Sequence, residues 1–209
     1  MKRIFSLILV MMAVQMMWGQ STEIPEVDLT KKIFYVKEDG NGDGSSWDKA
    51  MGPQTFAYYL PQVIDGSTFH VAEGVYQPVY DTELNVPKDS SKLALLIRSG
   101  VTVKGGYPAD ATGEIESDPS RYKTIFKSES LFWNEDYCKT SYPIFVVNVD
   151  SKNVTFDGIY IERSCYVHGG INLVAPNSTI RFNKLYSTEN DGTILSGTCE
   201  NSQVIIERR

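Results

Sequence analysis

The sequence predicts an all-β protein, a solenoid of the parallel β-helix type, and three observations predict it. The first is a series of short β-branched and aromatic runs separated by Gly, Asn, Asp and Pro, such as KKIFYV, STFHVAEGVY, GVTVKGGY and NVTFDGIYIE. The second is the near absence of helical periodicity. The third is a repeat of about 24 residues in the C-terminal half.

The repeat is marked by Asn153, Asn177 and Asn201, with spacings of 177 − 153 = 24 and 201 − 177 = 24. Each Asn precedes an apolar run (154–156, 180–182 and 204–206), and a second run lies upstream of each, at 144–149, 171–174 and 193–195. One turn of this length cannot bury its own inner face, so stacking on the next turn builds the core. Strand alternation then points Val154, Phe156, Ile180 and Phe182 inward, with Val204 over Ile180 and Ile206 over Phe182.

The N-terminus has the pattern of a secretory signal peptide over residues 1–20. Lys2 and Arg3 precede an apolar run over 4–18, and Gly19 precedes Gln20 at the expected cleavage site. The run is shorter than the ~20 residues that a membrane span needs, so we expect cleavage and export, with no transmembrane span afterwards. A flexible segment is expected over 21–32.

Residues 33–66 are expected to form an N-terminal strand and a capping helix. The best helix candidate is 52–63, where Phe56, Tyr59 and Leu60 share one face and Pro61 ends or kinks the helix. The turns of the solenoid follow over 67–209. The last strand has no capping segment, which predicts either a longer parent protein or a partner at the open C-terminal end.

Charge argues against a nucleic-acid partner. Without Lys2 and Arg3, 20 − 2 = 18 basic side chains face 26 acidic ones, a net charge of −8, and no basic cluster is present to neutralise phosphates. Three cysteines, Cys138, Cys165 and Cys199, leave at least one thiol unpaired. The sequence does not decide the disulfide pairing.

The stretch VKEDGNGDGSSWDKAM, residues 36–51, begins like a calcium loop. An EF-hand needs a bidentate acid at its twelfth position, which counted from Asp39 is Ala50, and the preceding segment reads as a strand. A Gly/Asn/Asp turn is therefore the favoured interpretation. A weak Ca²⁺ site made by Asp39, Asn41 and Asp43 is the alternative, and no other cofactor is expected.

Four segments in order resemble exported bacterial proteins with a right-handed parallel β-helix, the pectin-lyase-like family: 33–51, STFHVAEGVYQP, GVTVKGGYPADATGEIESDPSRYKTIF and the repeats. The resemblance covers residues 33–209 and implies a right-handed helix, a secreted or outer-surface location in a Gram-negative bacterium, and Trp47 packed as a lid over the open top of the first turn. It implies no particular reaction.

Two groups of residues are candidates for ligand binding. Phe132, Trp133, Tyr137 and Tyr142 lie in an insertion with acidic neighbours, a composition suited to sugar stacking, although burial against the solenoid is the plainer interpretation. Glu162 and Arg163 follow a strand and could line a groove. His70 is expected to face solvent between Phe69 and Val71.

No catalytic residue is assigned, because no acid pair with a basic partner stacks at strand spacing. The sequence therefore favours a non-catalytic exported module that binds a polysaccharide or a surface protein. The alternative is the N-terminal part of a polysaccharide lyase or glycoside hydrolase of the pectin-lyase-like fold.

Overall fold

The computed structural model describes residues 24–76, 95–128, 144–148, 151–163, 170–187, 195–197 and 200–207. These residues form mostly strands, in two all-parallel sheets, and one short α-helix. The all-β prediction is confirmed at this level. The strands are β1 Ile33–Val36, β2 Ser67–Ala72, β3 Gly74–Tyr76, β4 Leu95–Ile97, β5 Val101–Tyr107, β6 Thr124–Ser128, β7 Phe145–Val147, β8 Val154–Arg163, β9 Ile171–Leu173, β10 Thr179–Ser187, β11 Leu195–Gly197 and β12 Gln203–Glu207.

The larger sheet follows the chain in the order β1-β2-β5-β8-β10-β12, with β6 paired to both β3 and the second half of β8. The smaller sheet has the order β11-β9-β7-β4. Each strand therefore lies beside a strand from the next passage of the chain, in the same direction, which requires a crossover between them.

The core lies along the inward-facing side of these strands. A row of apolar residues in register runs through the larger sheet, consisting of Phe34, Phe69, Val103, Phe156 and Phe182, all at most 1% exposed. Val154 and Ile180 are also buried, as the alternation predicts. The smaller sheet adds its own inward rows, Leu95, Phe145 and Ile171 with Ile97, Val147 and Leu173.

The register corrects the simple 24-residue repeat. β10 and β12 are offset by 204 − 180 = 24 residues, whereas β8 and β10 are offset by 180 − 154 = 26. The smaller sheet has the same two offsets, 171 − 145 = 26 and 195 − 171 = 24. Val154 pairs with Ile180. Asn153 directly precedes Val154, whereas Asn177 lies three residues before Ile180, so the two Asn residues are not opposite each other.

A separate reason explains the recurring Asn. Asn153, Asn177 and Asn201 have φ of 55°, 56° and 53°, in the left-handed region that Asn tolerates better than most residues. Serine hydroxyls beside them satisfy carbonyl groups of an earlier, neighbouring passage of the chain. Ser151 Oγ donates to the Ile97 carbonyl at 2.7 Å, Ser178 Oγ donates to the Ser151 carbonyl, and Ser202 Oγ donates to the Ala175 carbonyl at 2.7 Å.

Helix α1 spans Pro53–Tyr59 and continues as a 3₁₀ turn over Leu60–Gln62. The predicted range of 52–63 is thus slightly long, and the change of helix type comes one residue before Pro61, as expected for proline. Phe56 and Leu60 are fully buried, and Phe56 contacts Phe69 with ring centroids 5.0 Å apart. The helix therefore packs onto the core of the larger sheet. Ahead of β1, Val27 is 7% exposed and belongs to the same core.

The outer strand β12 departs from expectation. Val204 lies opposite Ile180 and Ile206 opposite Phe182, as predicted, but Val204 is 42% exposed. In the described part of the chain no strand packs on the far side of β12, so one flank of Val204 stays in contact with water.

Candidate functional site

The outward side of the larger sheet presents two rows of polar side chains. The first row is Thr68, Thr102, Thr155 and Arg181, and the second is His70, Lys104, Asp157 and Asn183. We call these eight residues the outer polar face. Neighbours within a row come from adjacent strands, about 4.8 Å apart, and the rows lie about 7 Å apart along the strands. Arg181 is exposed and the other seven are partly exposed.

The outer polar face exists because side chains on these strands alternate between the buried side and the outward side. Thr155 and Asp157 flank the buried Phe156, and Arg181 and Asn183 flank the buried Phe182. Hydroxyl, amide, carboxylate and cationic groups are thus held at fixed spacing by a packed hydrophobic layer directly beneath them. Such a surface can exchange hydrogen bonds with a ligand that lies across several strands.

One end of this face is closed by four rings, Tyr35, Trp47, His70 and Tyr107, which we call the aromatic clamp. His70 stacks on Tyr107 with centroids 4.9 Å apart and planes at 15°. Trp47 contacts Tyr35 at 4.8 Å and Tyr107 at 5.2 Å. Trp47 and Tyr107 are 4% and 2% exposed and form a small apolar cluster with Ala72 and Ala111, separate from the main core.

Two expectations are corrected by the clamp. Trp47 packs on the outward side of the sheet instead of forming a lid over the open top of the first turn, because its 3₁₀ turn, Trp47–Lys49, lies over the outward-facing Tyr35. His70 lies on the outward side as expected but is only partly exposed, because the rings cover it. Burial, and next the charge of Lys104, lower the pKa of His70 below its ordinary value.

The Gly/Asp loop before Trp47 is a backbone structure. Gly42 and Gly44 donate to the carbonyls of Ala50 and Lys49 at 2.9 and 2.7 Å, and Tyr35 of β1 donates to the Gly44 carbonyl at 3.0 Å. A Cβ at Gly40 would stand 2.6 Å from the Ala50 oxygen, so only glycine fits. The loop covers the free edge of β1, which would otherwise offer unpaired hydrogen-bonding groups.

The three residues of the alternative Ca²⁺ site lie in this loop. Asp43 Oδ1 accepts a hydrogen bond from the Ser45 N–H at 2.9 Å, and the hydrogen bonds of Ser45 lower the pKa of Asp43. Asp39 and Asn41 are exposed. Among the residues that the structure describes, no group of three or more His, Cys, Asp or Glu side chains is arranged to hold a metal ion.

Glu162, a predicted ligand-binding residue, lies on the second half of β8. Its carboxylate pairs with the Lys127 ammonium at 2.9 Å, and both side chains are about one-third exposed, at 32% and 31%. Two residues earlier, Tyr160 stacks on Tyr186 with centroids 4.4 Å apart, donates to the Pro119 carbonyl at 3.1 Å and lies beneath Lys123 Nζ at 5.6 Å. Glu162 therefore belongs to a second polar and aromatic surface beside the outer polar face.

The other predicted residues are not described. Phe132, Trp133, Tyr137 and Tyr142 lie outside the described residues, as do Cys138, Cys165 and Cys199, and only the backbone of Arg163 is described. Residues 1–20 are outside as well.

The in-register rows of the outer polar face were missed from sequence because its first strands have irregular spacing. Thr102 follows Thr68 by 102 − 68 = 34 residues, and Thr155 follows Thr102 by 155 − 102 = 53. Only the step of 181 − 155 = 26 is near the repeat length. The alternation within each strand was the available signal, but alternation does not tell which strands are neighbours.

Comparisons of the chain with protein-family models, with curated proteins and with solved structures found no match. Within the described ranges, no helix has the length and apolar character needed to cross a membrane.

Proposed function

We propose that this chain is a right-handed parallel β-helix, exported from a Gram-negative bacterium, whose outer polar face binds an extended polysaccharide without cleaving it. The observation that carries the proposal is the pair of in-register polar rows across β2, β5, β8 and β10. Sugar hydroxyl groups both donate and accept hydrogen bonds, and Thr, Asn, Asp, Lys and Arg side chains supply both kinds of partner.

The shape of the surface favours a polymer over a small molecule. Small-molecule sites are concave and enclose most of their ligand, whereas these rows lie on one side of a sheet and repeat at strand spacing. A chain lying across the strands would meet an equivalent pair of polar groups at every strand. The stacked Tyr160 and Tyr186 on the adjoining surface add aromatic area of the kind that sugars contact.

The test is a binding screen of the purified chain against an array of bacterial-surface and plant polysaccharides, followed by titration calorimetry with the best ligand. The double variant Thr155→Val/Arg181→Ala should reduce affinity at least about tenfold, the effect of about 1.4 kcal/mol of lost hydrogen bonding. Lys152→Ala is the matched control, because Lys152 is exposed just outside β8 and lies off the outer polar face. Its affinity should equal that of the wild type.

Equal affinity in the double variant and the control would contradict the proposal. Release of unsaturated uronides or of new reducing ends from the bound polysaccharide would instead establish the lyase or hydrolase alternative. Thermal melting of each variant shows whether a loss of binding reflects a loss of folding.

A further inference from the structure

The aromatic clamp joins the Gly/Asp loop to three strands, and His70 is its one histidine. Tyr35 comes from β1, His70 from β2, Tyr107 from β5 and Trp47 from the loop. Backbone hydrogen bonds join the loop to β1 and to the residue after it: Met51 donates to the Tyr35 carbonyl at 2.9 Å, and Lys37 donates to the Met51 carbonyl at 3.1 Å. The loop also reaches β3, where the Val75 N–H donates to Glu38 Oε2 at 3.1 Å, and Met51 is buried in the main core. The rings add the contacts of the Trp47 end of the loop with β2 and β5.

We propose that His70 is an acid-sensitive latch: the neutral imidazole holds the Trp47 loop against the sheet, and protonation of the ring releases it. The geometry supports this because His70 fills the space between the rings of Tyr35, Trp47 and Tyr107, at centroid distances of 5.5, 6.4 and 4.9 Å. A charged imidazolium placed there loses part of its hydration.

Burial and the charge of Lys104 oppose a positive charge on His70, and the attraction of the aromatic faces for a cation offsets part of this effect. Lys104 lies directly opposite His70 in the register of β2 and β5, and Lys37 Nζ lies 5.9 Å from the centroid of Trp47. Tyr35 and Tyr107 present neutral phenols. Asp157 is one strand further away, beside Lys104, and its charge acts on Tyr107. Burial and Lys104 lower the pKa of His70, which agrees with this arrangement.

The lowered pKa gives the direction of the switch. In the closed state the loop lies against the sheet, and in the open state it is released. The closed state binds the proton less well than the open state, so closure is fully favoured above the ordinary histidine pKa of about 6.5 and weakens as the pH falls below it. Release would uncover the edge of β1, whose Tyr35 and Lys37 N–H groups the loop now satisfies. The inference does not require a bound polysaccharide, although His70 and Lys104 belong both to the latch and to the outer polar face.

The test follows the loop in the full-length chain with Trp18 and Trp133 replaced by Phe, so that Trp47 is the one remaining tryptophan. We would measure Trp47 emission from about pH 7.5 to about pH 5, above the range where most carboxylates titrate. Over the same range we would measure hydrogen exchange of a peptide covering 40–51, corrected for intrinsic rates. A red shift of Trp47 emission with faster exchange is expected on acidification.

Three variants distinguish the latch from general acid unfolding. His70→Phe keeps a ring in the clamp and should abolish the transition. Lys104→Gln should move its midpoint to lower pH, because the protonated ring is then repelled less in the closed state and more acid is needed for release. His168→Phe removes the chain's only other histidine and should change nothing. A transition that persists in His70→Phe, or an unmoved midpoint in Lys104→Gln, would overturn the proposal, and the second result decides it even where His70→Phe fails to fold.

Discussion

Phe156 and Phe182 stack face to face, with ring centroids 5.5 Å apart and ring planes only 5° from parallel. Both rings are almost completely buried, and Phe145 of the smaller sheet contacts Phe156 at 5.1 Å with its ring tilted by 66°. The stack therefore joins two neighbouring strands of the larger sheet to the smaller sheet. The stability lost when one ring is removed measures how strongly these strands hold each other in place.

Removal of one ring should cost much of the stability of this region. Phe182→Ala should reduce the free energy of unfolding by about 3–5 kcal/mol, since it removes buried apolar surface and leaves a cavity. Urea denaturation followed by far-UV circular dichroism measures the change. Arg181→Ala, one residue earlier and on the outward side, should change stability by less than about 0.5 kcal/mol. Equal losses in the two variants would show that the inward-outward assignment of β10 is wrong.

Lys184 is a strained position that a glycine should relieve. Its φ is 52°, and the register places it opposite Gly158, whose φ is 68°. Lys184→Gly should therefore raise the free energy of unfolding by about 0.5–1 kcal/mol, because only glycine adopts this conformation without a steric penalty, even after its larger entropy loss. Lys152→Gly, at an exposed site that lacks a positive φ, should be neutral or destabilising. A gain in Lys152→Gly as large as in Lys184→Gly would contradict the explanation.

The core of the C-terminal strands could be predicted because the relevant signals are local. Alternation alone places Ile180 and Phe182 inward, and both are at most 1% exposed. The pairing of β10 with β12 follows from the 24-residue repeat. The pairing of β8 with β10 does not, since Asn177 lies 180 − 177 = 3 residues before Ile180 whereas Asn153 lies 154 − 153 = 1 residue before Val154, its partner in the register. The length of such a connection depends on contacts between distant residues.

The outer polar face and the aromatic clamp could not be predicted for a related reason. His70 and Lys104 are neighbours only because a long connection returns the chain to the adjacent strand, and no periodicity marks that return. Trp47 was expected over the open top of the first turn, but the loop hydrogen-bonds to the edge of β1 and so carries the ring to the outward side.

Asn177 should be replaceable by glycine but not by alanine. The residue has φ of 56°, its side chain is exposed, and its N–H donates to the Glu200 carbonyl at 3.0 Å. Asn177→Ala should lower the free energy of unfolding by about 1 kcal/mol, the cost of the left-handed conformation for a residue with a Cβ and no polar side chain. Asn177→Gly should lose little or nothing. Chemical denaturation of both variants checks this, and identical behaviour of Ala and Gly would contradict it.

Gly42 tests whether the loop before Trp47 is a backbone structure or a cation site. A Cβ at Gly42 would clash with the Lys49 carbonyl, so Gly42→Ala should lower the Tm and expose Trp47, and millimolar Ca²⁺ should not restore either property. Asn41→Ala, at the exposed neighbouring position, should keep the wild-type Tm. A Ca²⁺-dependent rise in the wild-type Tm that is lost in Asn41→Ala would instead support the alternative site at Asp39, Asn41 and Asp43.

Tyr107 should make the protein sensitive to alkali. Burial, and then the charge of Asp157, raise the pKa of Tyr107 to about 12 from its ordinary value of 10. The folded state therefore keeps a proton that the unfolded state releases, so this stabilisation is complete below about pH 10 and is lost as the pH rises toward 12. Its full size is on the order of 2 kcal/mol.

Tyr107→Phe keeps the ring in the aromatic clamp but has no proton to lose, so its free energy of unfolding should fall less than that of the wild type between pH values of about 9.5 and 11. Urea denaturation at each pH measures the difference, and Tyr58→Phe, at a side chain that is 52% exposed, is the matched control that should follow the wild type. Parallel curves for wild type and Tyr107→Phe would show that the Tyr107 hydroxyl is accessible to water and that the clamp is more open than its ring contacts indicate.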